Sequence, residues 1–207
     1  LAIGEHERVS WESPFRPPLE DALVVPRPDQ PIPIWLGTGG NPGSTVRAAK
    51  AGLPISYGIL SGTPQRWGQM GALYRQAAEE SGVDPSQLAI SVAGHGFIAA
   101  DGQAAKQTFF RHESAAYAAH GRFAALSWED AKANYSPGGM VFAGDPSEIA
   151  DRIIDLHRHL GHMRHFFQMD IGGMPHSEVL ASIELLGTEV APRVRAEIGS
   201  DGAAPSS

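Results

Sequence analysis

An apolar run that ends in a small-residue turn and gives way to a capped helix recurs along this 207-residue chain, and that alternation constrains the fold more than any other feature. Ile32, Ile34, Trp35 and Leu36 form the first run. Gly37, Gly39 and Gly40 turn the backbone, and Asn41-Pro42 supplies an N-cap with proline at the first helical position. The second run, Leu53 to Leu60, leads to Thr63-Pro64, which opens a helix reaching Ser81-Gly82. Leu88 to Ala100 is the third run, and Asp101 caps an alanine-rich helix that extends to His120. Asp145-Pro146-Ser147-Glu148 is a capping box. Its helix runs through Leu160 with Ile149, Ile153, Leu156 and Leu160 on one face, and the strand His165 to Ile171 follows. Gly172-Gly173-Met174-Pro175 then turns into a last helix bearing Val179, Leu180, Ile183, Leu186 and Val190. Four strands alternating with helices predict an α/β fold, a parallel sheet with its faces covered by helices.

The flanks read differently. Prolines at 14, 17, 18, 26 and 28 make residues 1–30 an extended lead-in, which Trp11, Phe15, Leu19, Leu23 and Val24 are expected to anchor. Residues 31–198 form the body, and 199–207 a disordered tail. Residues 102–139 exceed an ordinary connection and are either a lid or a structural wrap. Leu1 in place of Met points to residues upstream. A net charge of −7 with no Lys/Arg-dense segment argues against nucleic acid and anionic membrane as partners, and no apolar run nears the roughly 18 residues of a membrane span. Zero cysteines exclude disulfides and a cysteine nucleophile and suit a cytoplasmic location.

The first turn is the chemically suggestive one. Free N–H groups at a helix start after glycines suit a phosphate, and Ser44 and Thr45 lie in the first helical turn; a plain strand-to-helix turn is the competing reading. A dinucleotide fingerprint fails, because Pro42 stands where the third glycine belongs and no acid follows between residues 55 and 63. No Gly-Lys-Ser/Thr follows to make a Walker loop. His157, His159, His162 and His165 lack the spacing of a zinc motif, so no metal is expected. His95, between Gly94 and Gly96, is either an active-site histidine with room around its ring or a satisfied core residue. Gln168 and Asp170 alternate on the last strand and can share a face, Asp170 alternatively capping the glycine turn. Gly138-Gly139 and Gly172-Gly173 are hinge candidates, and Tyr57, Trp67 and Trp128 offer aromatic surface, with core packing as the plainer role.

PIPIWLGTGG with RAAKAGLPI, the Gly94-His95-Gly96 strand, FAGDPSEIADRI, FFQMDIGGMPH and SIELLGTEVAP, in that order over residues 8 to 197, resemble the C-terminal half of the bacterial luciferase-like monooxygenase family. The resemblance implies strands five to eight of a (β/α)8 TIM barrel, with the insertion before the last unit. It implies that Gly40, Asn41 and Ser44, with Gly39 beside them, touch a flavin phosphate, that His95 sits at the flavin as a catalytic histidine, and that Gln168 and Asp170 bind substrate. The activity implied is a flavin-dependent oxidoreductase using reduced FMN and dioxygen on a small organic substrate, with a flavin reductase as partner. The alternatives are hydride transfer by a deazaflavin, a non-catalytic truncated barrel that self-associates, and a barrel enzyme for another phosphorylated ligand. Four strands do not close an eight-stranded barrel. The expectation is therefore a homo-oligomer or a missing N-terminal half.

Overall fold

The computed structural model describes residues 6–120 and 127–199; the predicted tail beyond Gly199 and part of the predicted insertion lie outside them. The chain divides at Ile34 into two units. In the first, the extended lead-in takes the form of an antiparallel hairpin, β1 (Arg8–Ser13) with β2 (Arg16–Leu23), pairing Trp11 with Leu19 and Ser13 with Arg16. Pro17 and Pro18 fall where the register shifts between Trp11 and Ser13, an irregularity that interrupts the ladder and so tolerates residues without an N–H. Within this unit Trp11, Phe15 and Leu23 are exposed.

The second unit is the predicted alternation. Its elements are β3 (Leu36–Thr38), α1 (Pro42–Lys50), β4 (Ile55–Ile59), α2 (Pro64–Glu79), β5 (Ile90–Ile98), α3 (Gly102–Ala119), the single turn α4 (Trp128–Ala131), β6 (Phe142–Gly144), α5 (Pro146–Leu160), β7 (Arg164–Gln168), α6 (His176–Leu185) and α7 (Ala191–Ile198). A π-helical turn, Leu186–Val190, joins the last two. Asn41, Thr63, Asp101 and Asp145 each cap their helix through a side-chain oxygen.

All sheet pairings of this unit are parallel. β4 lies between β3 and β5. β7 pairs with β5 over Ser91–His95, and β6 continues beside it over Gly96–Ile98. β6 is a fifth strand that the sequence reading left out, three residues long and directly before the capping box. The first strand is shorter than expected. Pro31 and Pro33 have no N–H for a ladder, so pairing starts only at Leu36, and Ile32 and Ile34 stay exposed instead of buried.

The core lies between the sheet and helices α1, α2, α5 and α7. Ile55, Tyr57, Ile59, Ile90 and Val92 of the strands pack there with Trp67, Tyr74, Ile149, Leu156 and Leu160. Tyr57 and Trp67 are therefore core residues, their rings 5.5 Å apart. The opposite face carries Gly58, Arg164, Phe166 and Gln168, all exposed, and is covered by α3 at the C-terminal end of β5, where Phe109 meets Phe97 and Glu113 meets His95; helices therefore cover the two faces unequally. A second cluster, Phe97, Ala105, Phe109, Ala131, Tyr135 and Ile171, packs α3 and the segment from α4 to β6 onto the C-terminal half of β5, and Trp128 stacks edge-on against Phe110 and Tyr135. No helix among the described residues is long and apolar enough to cross a membrane.

One glycine of each pair, Gly139 and Gly172, serves close approach. A Cβ at Gly172, whose φ is +64°, would stand 2.0 Å from the His112 carbonyl oxygen, so the turn after β7 is seated directly on α3. Gly139 is pressed in the same way against the Asn134 carbonyl.

Candidate functional site

The register sets Thr38, Tyr57, Val92 and His165 side by side. Two to three residues further along, Ile59, Gly94 and Phe167 lie side by side and His95 pairs with Gln168, so β3, β4 and β7 end within about one turn's height of one another beside the middle of β5, at the C-terminal end of a parallel sheet, where ligands of such folds bind.

The turn after β3 is built by its own hydrogen bonds. Asn41 Oδ1 accepts the Ser44 N–H at 3.0 Å, and the Asn41 N–H donates to Thr38 Oγ1 at 3.3 Å. Gly40, at φ +85°, lies against the Trp67 ring, which a Cβ would meet at 2.7 Å, whereas a Cβ at Gly39 would meet nothing within 4 Å. The backbone is thus open at Gly39 and fixed at Gly40. Arg47 Nη2 donates to Ser44 Oγ at 3.0 Å, bringing a cation to the helix start. Sequence reasoning passed over Arg47, although its place three residues after Ser44 puts it on the same face. The cap engages Asn41 only through Oδ1, so the groups that can meet an anion are the Asn41 Nδ2 amide, the Ser44 hydroxyl, the Arg47 guanidinium and the Gly39 backbone.

His95, Gln168 and Asp170 come together. They line one cleft of about 600 Å³ with Leu60, Ala93, Gly94, Phe166 and Phe167. Asp170 makes no side-chain capping bond to the turn that follows it, which removes the plainer reading. The small neighbours of His95 do not make room for its ring: a Cβ at Gly94 would meet the Ile59 carbonyl at 2.9 Å, and one at Gly96 the Phe167 ring at 2.4 Å.

His95 is 6% exposed, and its Nδ1 lies 2.6 Å from Glu113 Oε1. The Tyr135 hydroxyl donates to Glu113 Oε2 at 2.5 Å. Burial, and then the Glu113 carboxylate, push the Tyr135 hydroxyl above the usual phenol range, so it stays protonated and donates. The ring of Tyr117 stands 6.5 Å from that of His95, and that of Phe109 6.1 Å. Sequence reasoning missed Glu113, Tyr117 and Tyr135. These three also line a second cleft of about 810 Å³, with Leu60 to Thr63 on its far wall. Asn134 closes that wall, donating from Nδ2 to the Leu60 carbonyl at 2.8 Å and accepting the Met140 N–H at 3.0 Å.

The histidines near the end of α5 do not converge. His157, His162 and His165 stand in a row, with ring centroids 5.7 Å and 5.3 Å apart.

A family model described as luciferase-like monooxygenase matches residues 2–163. No curated protein matches the chain. Among solved structures, it is similar to the monooxygenase RslO1 from Streptomyces bottropensis, with a TM-score of 0.71 and 25% identity over 92% of this chain and 57% of that one. It is also similar to the coenzyme F420 dependent tetrahydromethanopterin reductase from Methanopyrus kandleri (TM-score 0.62, 18% identity, 90% of this chain and 58% of that one). A third is the oxygenating constituent of 3,6-diketocamphane monooxygenase from Pseudomonas putida, in complex with FMN (0.58, 18%, 91% and 58%). The chain spans little more than half the length of these proteins. Its alternating β/α units are those of a luciferase-like TIM barrel, present in part.

Proposed function

The chain belongs to the luciferase-like monooxygenase family, and from that membership we propose that it works within a flavin-dependent oxidoreductase that uses reduced FMN and dioxygen on a small organic substrate. The observation that carries this reading is the gathering, at one end of one parallel sheet, of an anion-suited turn at Gly39 to Ser44 and a cleft holding His95, Gln168 and Asp170. In this reading the flavin phosphate lies on the Gly39 backbone, the Ser44 hydroxyl and the Arg47 guanidinium, with Gly40 and Asn41 shaping the turn. His95 exchanges a proton with the reacting molecule, while Gln168 and Asp170 orient it by hydrogen bonds. The cofactor supplies the redox chemistry; the chain binds, orients and excludes water.

A deazaflavin reading is favoured by the fold shared with the coenzyme F420 dependent reductase, and there the same turn would hold the deazaflavin's phosphate during hydride transfer. A flavin reductase would deliver reduced flavin, and strands from outside these 207 residues would complete the barrel. The absence of cysteine suits a cytoplasmic setting.

Replacing Ser44→Ala together with Arg47→Ala removes a charged contact of about 1.5–3 kcal/mol. The Kd for FMN should rise on the order of tenfold or more, and the Kd for riboflavin, which has no phosphate, should stay unchanged. Equal FMN affinity in the variant and the parent would refute the phosphate assignment.

A further inference from the structure

Within the described part of this end of the sheet, His95, Glu113 and Tyr135 form a buried chain of hydrogen bonds that ends on a cleft. Glu113 is the junction: one carboxylate oxygen takes the Tyr135 hydroxyl at 2.5 Å and the other faces His95 Nδ1 at 2.6 Å. An ionised carboxylate has only acceptor sites. Where both Glu113 oxygens act as acceptors, the hydrogen shared with His95 lies on Nδ1, and Nε2 is the ring nitrogen left for a ligand in the cleft that His95 lines with Gln168 and Asp170.

We propose that Glu113 and Tyr135 are positioning residues that hold His95 as the Nδ1–H tautomer, presenting Nε2 to the cleft as a proton acceptor. This rests on the reading of His95 as the proton-exchanging residue. When Nε2 takes a proton, an N–H bond forms as an O–H or N–H bond of the bound molecule breaks. The bonding pair stays on that molecule, and nothing is oxidised or reduced. The imidazolium then lies against the Glu113 carboxylate, which keeps its own charge and retains the Tyr135 hydrogen bond. Among the described residues, the other titratable groups about the ring are Tyr117, on the helix that carries Glu113, and Asp170, which lines the same cleft. The arrangement joins three separate elements: β5 supplies the imidazole, α3 the carboxylate one turn beyond Phe109, and the segment between α4 and β6 the phenol.

The test is nitrogen-15 imidazole NMR of the 207-residue protein without cofactor, with the His95 signals identified by their loss in His95→Gln. The proposal expects neutral His95 to carry its hydrogen on Nδ1, with Nε2 unprotonated, and Glu113→Ala to abolish that form. A wild-type His95 bearing its hydrogen on Nε2 overturns the proposal, and this outcome does not depend on the alanine variant folding. In flavin-loaded protein, Glu113→Gln should lower kcat on the order of a hundredfold, shift its pH profile and leave flavin affinity unchanged. An unchanged kcat and pH profile would make Glu113 a packing residue and overturn the proposal. Because the tautomer is read without cofactor, its outcome is separate from that of the flavin assignment.

Discussion

Burial governs the histidine row at the end of α5. His162 is pushed down to about 3, by burial first and then by the neighbouring His157, and His165 is held well below the usual imidazole range by burial, His162 and Arg152. Both are neutral in the folded protein, whereas in the unfolded chain they protonate near pH 6.5. Below that pH the unfolded state binds more protons than the folded one, so stability falls as pH falls, with a slope of about 1.4 kcal/mol per pH unit for each such group. The loss begins near pH 6.5 and continues to about pH 3 for His162. Denaturant unfolding across this range should show a steady decline below pH 6.5, reduced in His162→Gln; a flat profile between neutral and mildly acidic pH would contradict it. At this scale the sequence is legible only where a residue's neighbours are local. His95 stood out because glycines flank it, even though those glycines accommodate Ile59 and Phe167 rather than the imidazole. Glu113 did not stand out. It is one acid in an alanine-rich helix, and its meaning comes from contacts 18 residues back to His95 and 22 residues forward to Tyr135.

Element by element, local chemistry was the better guide. Asn41, Thr63, Asp101 and Asp145 were readable as caps because an N-cap is a short-range device, and each forms as expected. Strand limits were less readable, since a ladder depends on partners elsewhere in the chain. Phe142–Gly144 is a strand only because Gly96–Ile98 extends beyond β7 to meet it. The docking of α6 shows the same dependence. Ser182 Oγ accepts the buried Ile98 N–H at 2.8 Å, so a single hydroxyl ties this helix to the end of β5. Ser182→Ala leaves that N–H without its acceptor and should cost about 1–3 kcal/mol, read as a lower denaturant midpoint with an unchanged m-value. An unchanged midpoint would mean that the helix is held by its apolar contacts alone. The buried Arg152 has a similar tying role: its Nη2 donates to the carbonyls of Gly139 and Val141, both at 2.9 Å, pinning the end of the predicted insertion to α5.

For the molecule as a whole, the open face is the governing fact. Among the described residues β3, β6 and β7 each pair on one side only, and Leu60 and Phe166 are 48% and 52% exposed at the functional end of the sheet. Unpaired strand edges and exposed apolar side chains favour association, and a barrel of this class needs more strands than this sheet holds. Under the proposed function flavin binds in an assembled species, its open face completed by a second copy of the chain or by a missing N-terminal half. The most direct test of the central claim is a titration of the 207-residue protein, separated by size, with FMN, following flavin fluorescence, with inorganic phosphate as competitor and riboflavin as the phosphate-free control. The account predicts saturable quenching in the associated fraction, relieved by phosphate and much weaker for riboflavin. A folded, associated protein that leaves FMN fluorescence unchanged, or that binds FMN and riboflavin alike without regard to phosphate, would contradict it.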